Sequence, residues 1–221
     1  RALNVIPHGR GLGSSASAIV GGLTLARSLV LTGEQYMSDD DLITLATELE
    51  GHPDNVAAAF YGGATIAWIE KSVGADGVSS EVGKAVSLKV DDRIKALLLI
   101  PDNQLATAKA RKLLPETIPH QDAVLNSSRS ALLVHALAER PDLLFTATED
   151  LLHQNYRESA MPKTIALVEK LRGAGLAAVV SGAGPSVMVL YSNSEDEIDQ
   201  VAALAPGFNA LKLEIAKTGA Q

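Results

Sequence analysis

Cysteine is absent from the 221-residue chain, which excludes disulfides and suits a cytoplasmic protein. No apolar run approaches the roughly 18 residues that a membrane-spanning helix needs. No basic stretch is followed by an apolar one, so no signal peptide is expected. Positive charge is sparse: the formal net charge is −7 and no dense Lys/Arg cluster occurs, which argues against a nucleic-acid partner. Internal repeats and low-complexity segments are missing too. So is an initiating methionine. The chain opens on Arg1 and enters an apolar run at once, so a preceding segment is expected in the natural protein. What remains is ordinary for a folded globular protein, with 47% apolar and 20% charged residues.

The pattern along the chain mixes strands and helices. Residues 2–6 read as a short strand, followed by the string P-H-G-R-G-L-G-S-S-A over residues 7–16. Ala16, Ile19, Leu23, Ala26 and Val30 then recur at helical spacing, with Gly33 as a stop. Ser38 followed by Asp39, Asp40 and Asp41 predicts a capped helix to about Glu50, which Pro53 cannot continue. A short helix is expected from Asn55 to Phe60 and a strand from Ala64 to Glu70. Residues 71–85 are polar and rich in Gly and Ser, which predicts a loop or hairpin tip and a boundary between domains 1–85 and 86–221. Beyond it, Ile94–Ile100 reads as a buried strand. Helical patterns follow at 105–114, 122–139, 142–156 and 162–172. Strands are expected at 176–180, 187–191 and 211–216, with a last helix capped at Ser194. Helices clustered in runs beside strands indicate an α+β fold in two layers.

Residues 9–16 are the most informative stretch. Gly9, Gly11 and Gly13 remove side chains where a ligand must touch backbone, and Ser14 and Ser15 open a helix. Helix-terminal N–H groups behind a glycine turn make an anion site suited to a nucleotide's phosphates. A plain Gly-rich turn with a Ser cap explains one Gly and one Ser, not three and two. A dinucleotide-binding fold matches Gly11-x-Gly13-x-x-Ala16 loosely, but it needs a strand after the helix, and L-T-G-E-Q-Y-M leads into another helix instead. The Walker pattern is absent.

The complete string P-x-x-x-G-L-G-S-S-A, from Pro7 to Ala16, resembles the phosphate-binding motif of the GHMP kinases, the family of galactokinase, homoserine kinase and mevalonate kinase. The resemblance implies that Pro7, His8, Gly9, Arg10, Gly11, Leu12, Gly13, Ser14, Ser15 and Ala16 wrap the phosphates of ATP. It implies a serine hydroxyl on Mg2+, for which Ser14 and Ser15 both stand as candidates. With no lysine in the loop, metal and helix dipole must carry most of the charge compensation.

Glu48-Leu-Glu-Gly-His-Pro-Asp-Asn55 places five ionisable or amide groups in eight residues. Taken alone, it is an acidic helix end before a proline turn. Acidic groups at a helix C-terminus oppose the dipole, however, so a compensating cation is expected. In a kinase, a carboxylate facing the glycine loop is a natural magnesium ligand. The segment is similar to the E-x-E-G-H-P-D-N-V-A pattern of the homoserine kinase branch, whereas mevalonate and galactose kinases carry a P-x-G-x-D version. That resemblance implies ATP-dependent phosphorylation of the homoserine hydroxyl, a step of threonine biosynthesis. It makes Glu48 the magnesium carboxylate, with Glu50 as runner-up, and lines the homoserine site with His52, Asp54 and Asn55. An aspartate near Asp54 serves relatives as base. Direct transfer without a dedicated base is also consistent with a loose phosphoryl-transfer transition state.

Three later stretches extend the likeness: residues 98–115, N-S-S-R-S-A-L-L with Arg129, and N-Y-R with Arg157. A lone arginine is usually a solvated surface charge. The resemblance makes Arg129 and Arg157 ligands of the substrate carboxylate, a task suited to a bidentate guanidinium. S-G-A-G-P-S, residues 181–186, corresponds to the family's third motif, expected to support the phosphate loop. The fold implied is a ribosomal-protein-like α/β sandwich with a ferredoxin-like C-terminal domain. The family's opening strand and its N-L-G-P-G-F-D-like motif have no counterpart here, so a truncated version is expected. A homodimer is compatible with the resemblance. Rival readings are a mevalonate- or sugar-type kinase and a non-catalytic ligand-binding relative.

Overall fold

Local signals account for most helices of the unit formed by Gly13–Lys89 and Ala216–Gln221. The structure, a computed structural model, describes residues 3–73, 79–192 and 195–220. Helix α1 (Ser14–Leu29) starts directly after Gly13, whose φ of 69° is costly for any residue with a Cβ. Gly33, expected as a stop, instead opens a single helical turn, α2 (Gly33–Tyr36), where the Arg27 carbonyl occupies the space a Cβ would need. Helix α3 (Asp39–Glu50) carries a full capping box. Ser38 Oγ accepts from Asp41 N at 3.2 Å, and Ser38 N donates to Asp41 Oδ2 at 3.0 Å. Gly51, at φ 88°, ends it. Helix α4 (Asp54–Tyr61) follows the proline turn.

Strands β1 (Ala64–Val73) and β2 (Ser79–Leu88) pair antiparallel from Ala64↔Leu88 to Val73↔Ser79. Residues 71–73 and 79–85, expected as loop, therefore lie in the ladder, while 74–78 fall outside the described residues. Ladder hydrogen bonds are made by backbone, so a polar, solvent-facing hairpin leaves little hydrophobic signal. The 85/86 position expected as a domain boundary lies within β2. The core of this unit gathers Ala16, Val20, Leu42, Ile43, Ala46, Val56 and Phe60, all essentially inaccessible.

The unit formed by Arg1–Leu12 and Val90–Ile215 is built on a four-stranded antiparallel sheet of order β4-β5-β3-β6. The strands are β3 (Lys95–Pro101), β4 (Ala177–Val180), β5 (Val187–Tyr191) and β6 (Phe208–Glu214). Strand β3 reads K-A-L-L-L-I-P because it lies between two neighbours and is buried along six consecutive positions. Leu97, Leu99, Val187 and Val189 share a core with Ile165, Val168 and Leu171 of α8 (Pro162–Gly173) and Ile198 of α9 (Glu195–Ala203). A second cluster joins Ile94 and Ala177 to Ala136 of α6 (His120–Ala138) and to Leu144 and Ala147 of α7 (Leu144–Ala147).

Three expectations are corrected in this unit. Residues 3–6 form no strand: Asn4 Oδ1 accepts from Ile6 N at 2.9 Å, closing a local turn that competes with extension. Ala2 lies outside the described residues. The helix expected over 142–156 is broken after α7. Thr148 Oγ1 bonds back to the Leu144 carbonyl at 2.8 Å, and Asp150 accepts from the N–H groups of Leu152, His153 and Gln154. The chain resumes as a 3-10 helix at Asn155–Ala160. The pattern at 105–114 yields only α5 (Thr107–Arg111). The cap expected at Ser194 lies outside the described residues. Among those described, no helix is long and apolar enough to cross a membrane.

Candidate functional site

Residues 7–12, in the sheet-bearing unit, are held by their carbonyl groups. Gly9 and Gly11 take φ of 64° and 70°. Leu105 N donates to the Gly9 carbonyl at 2.9 Å, and Ser181 Oγ donates to the Gly11 carbonyl at 2.9 Å. The Arg10 guanidinium donates to the carbonyls of Pro101, Asp102 and His8 at 2.9, 2.8 and 3.2 Å. A Cβ at Gly11 would collide with the Ser181 carbonyl and come within 2.8 Å of Gly184 backbone, so this glycine is required by space as well as by φ. The N–H groups of Gly9, Arg10, Gly11 and Leu12 have no hydrogen-bond partner among the described residues. Residues 181–184 of the third motif thus pack directly on the loop.

The other half of the string belongs to the helical unit. Gly13 precedes α1 without a side-chain cap, and the positive end of the helix dipole follows the loop. Ser14 is 9% exposed, whereas Ser15 Oγ donates to Glu50 Oε2 at 2.7 Å. Asn55 Oδ1 lies 3.3 Å from where a Gly13 Cβ would stand. The end of α3, the start of α4 and the start of α1 therefore converge, and they bring Ser15, Glu50 and Asn55 together. Glu48 points to solvent and makes no hydrogen bond or ion pair among the described residues. His52 Nδ1 faces Asp54 Oδ1, which also accepts from Asn55 N at 2.6 Å. Among the described residues no three His, Asp or Glu side chains cluster to hold a metal on their own. The Ser15–Glu50 pair does fit an ion that takes one carboxylate from protein and the rest of its shell from water and phosphate, as Mg2+ does.

The two expected substrate arginines differ in environment. Arg129 Nε donates to Glu149 Oε2 at 2.6 Å, an ion pair that leaves it already neutralised. Arg157 is only 7% exposed; its Nη1 reaches the Gly182 carbonyl at 3.2 Å and its buried Nε has no partner. Burial lowers its pKa, the nearby Asp150 raises it and Arg111 lowers it further. Arg111, at the end of α5, thus adds a second cation near the first. Its signal was its place directly after Ala110, which anchors α5 in the core cluster. Two more residues escaped the sequence reading. Gln154 Oε1 accepts from Val180 N at 2.6 Å, fixing the Arg157 segment to the end of β4. Burial pushes the Asp150 carboxyl up, but hydrogen bonds from His153, Gln154 and Leu152 outweigh it and hold the pKa at about 2.

An α+β chain with a glycine loop opening a helix and a Ser–Glu pair at that helix start matches two family models. Residues 3–63 match the GHMP kinases N terminal domain, and residues 128–206 match GHMP kinases C terminal. The chain belongs to the GHMP kinase family. Homoserine kinases are among its curated relatives. The homoserine kinase of Streptomyces coelicolor is 50% identical over 91% of this chain and 62% of its own length. That of Streptomyces avermitilis is 47% identical over 98% of this chain and 68% of its own length. The crystal structure of homoserine kinase from Cytophaga hutchinsonii superposes with a TM-score of 0.76 at 26% identity, covering 98% of this chain and 69% of that one. The chain thus spans roughly two thirds of the length of these relatives, and less than that of the first.

Proposed function

We propose that the protein of which this chain is part transfers the γ-phosphoryl group of ATP to the hydroxyl of L-homoserine. The observation that carries the reading is the loop whose His8, Gly9 and Gly11 carbonyls are engaged inward while the N–H groups of residues 9–12 have no partner among the described residues, leading into a helix start without a side-chain cap. Amides so placed bind phosphate oxygens. Residues Pro7–Ala16 hold the nucleotide. Ser15 and Glu50 hold Mg2+, an ion that screens the phosphate charge as it builds in the transition state. Glu50 is preferred to Glu48 because it already meets the loop serine, while Glu48 faces water.

The amino acid is held at its carboxylate by Arg157, with Arg111 beside it. A buried guanidinium with an unpaired Nε is costly until an anion arrives, and a carboxylate satisfies it. Arg129, paired with Glu149, is the weaker candidate. The likeness of their segment to the homoserine kinase pattern makes His52, Asp54 and Asn55 the candidates for binding the amino-acid alcohol. Asp54 is bound by His52 and by Asn55 N–H, which fixes its orientation. Phosphoryl transfer through a loose transition state asks for in-line positioning more than for early proton removal, so these residues chiefly orient the hydroxyl. The homoserine kinase homologues favour this substrate over a mevalonate or a sugar. The ligands are small and diffusible, in keeping with a cytoplasmic enzyme.

The test is a phosphorylation assay on the full-length protein with ATP and Mg2+, offering homoserine, mevalonate and galactose side by side. Turnover confined to homoserine supports the reading. Preference for either of the others overturns it.

A further inference from the structure

We propose that Arg10 is a positioning residue of the phosphate loop and not a phosphate ligand. The inference rests on the loop's being the nucleotide site. A cation inside a phosphate loop invites the simpler view that it binds phosphate. Its hydrogen bonds point elsewhere. Nε and Nη2 donate to the carbonyls of Pro101 and Asp102, at the end of buried strand β3, and Nη1 donates to the carbonyl of His8. No carboxylate pairs with Arg10 among the described residues.

Peptide geometry turns this clamp into a functional device. In a trans peptide the C=O of one residue and the N–H of the next point in opposite directions. Tying the His8 carbonyl inward through Arg10 turns the Gly9 N–H outward. The Gly9 carbonyl, held by Leu105 N, does the same for the Arg10 N–H. The Gly11 carbonyl, held by Ser181 Oγ, does so for the Leu12 N–H. Arg10 sets the first of these three peptide planes and joins the loop to a strand that cannot shift without disturbing the core. Gly9 and Gly11 have wide conformational freedom, so without the clamp the His8–Gly9 peptide is free to flip and present a carbonyl where the phosphate needs a donor. A planar fork with fixed N–H directions reaches three separated carbonyls; a lysine ammonium on a single stem does not.

The experiment is titration calorimetry of ATP into the full-length protein, comparing wild type, Arg10→Lys and Arg10→Gln at two ionic strengths. Hydrogen exchange of residues 8–12 is followed in the free proteins. Positioning predicts that both variants lose ATP affinity on the order of tenfold or more and to a similar degree. Their salt dependence should equal that of wild type, and loop exchange should be faster before any nucleotide is added. Arg10→Lys binding within about twofold of wild type while Arg10→Gln is weak makes charge the operative property and overturns the proposal. Wild-type affinity in both variants also overturns it. A wild type that binds no ATP is a different outcome, since it removes the nucleotide reading itself. Should the variants fail to fold, the Arg10 Nε–H of the wild type is read by NMR. It should be protected in the free protein and unmoved by ADP, whereas a large shift on ADP makes it a ligand.

Discussion

At the scale of single residues, two near-equivalent candidates are separated by what each touches. Glu48 and Glu50 lie on the last turn of α3, and the sequence pattern ranks Glu48 first. Glu50 meets Ser15 Oγ at 2.7 Å, while Glu48 is in water. Glu50→Gln should lower kcat by roughly a hundredfold, the size associated with a group that stabilises transition-state charge. Glu48→Gln should stay within about threefold; steady-state kinetics with the two variants in reversed order would return the metal to Glu48. The arginines divide in the same way. Arg157→Ala should raise KM for homoserine by roughly thirtyfold or more, because a buried charge contact is lost, with KM for ATP nearly unchanged. Arg129→Ala should raise it only a few-fold, since its charge already faces Glu149. Equal effects from the two substitutions would return Arg129 to the carboxylate site.

Elements show where pattern reading succeeds and where it stops. Ser38 and the acidic turn after it announce α3 because a capping box is a purely local device. The break after α7 is not legible, since single side chains make it: the Thr148 hydroxyl donates back to the Leu144 carbonyl, and the Asp150 carboxylate collects the N–H groups of Leu152, His153 and Gln154. Asp150 also gives this segment a pH signature. Its folded pKa of about 2 is below the roughly 3.9 of an unfolded aspartate. The stability it contributes is therefore present above about pH 4 and is lost as pH falls toward 2. Asp150→Asn should reduce unfolding free energy at pH 7 by about 1–2 kcal/mol, allowing for solvent screening. The gap from wild type should close between pH 4 and 2 in urea titrations. A gap that persists at pH 2 would assign the loss to packing. The turn also leads into the Arg157 segment, so the variant should raise KM for homoserine as well.

For the whole molecule, stability rests on separate apolar clusters within two compact units. Leu99, at the centre of the four-stranded sheet, and Phe60, in the helical unit, are both fully buried. Leu99→Ala should cost about 2–5 kcal/mol and Phe60→Ala about 3–5 kcal/mol by denaturant midpoint, and a smaller loss at either would mean that its cluster collapses around the cavity. The helical unit takes residues 13–89 and 216–221, so the chain's ends exchange places, and no composition change marks a contact between residues so distant in sequence. The sequence by itself determined what depends on neighbours along the chain: the glycine loop and its helix start, the caps, the buried strand β3 and, through motif resemblance, the family. Tertiary structure decided what depends on neighbours in space. It brought Glu50 to Ser15 and left Glu48 in water, gave Arg129 to Glu149, set Arg111 near Arg157 and turned Arg10 onto carbonyls 91 and 92 residues away. A side chain's charge and shape are written in the sequence, but its partner is fixed only when packing brings remote segments within the roughly 3 Å reach of a hydrogen bond.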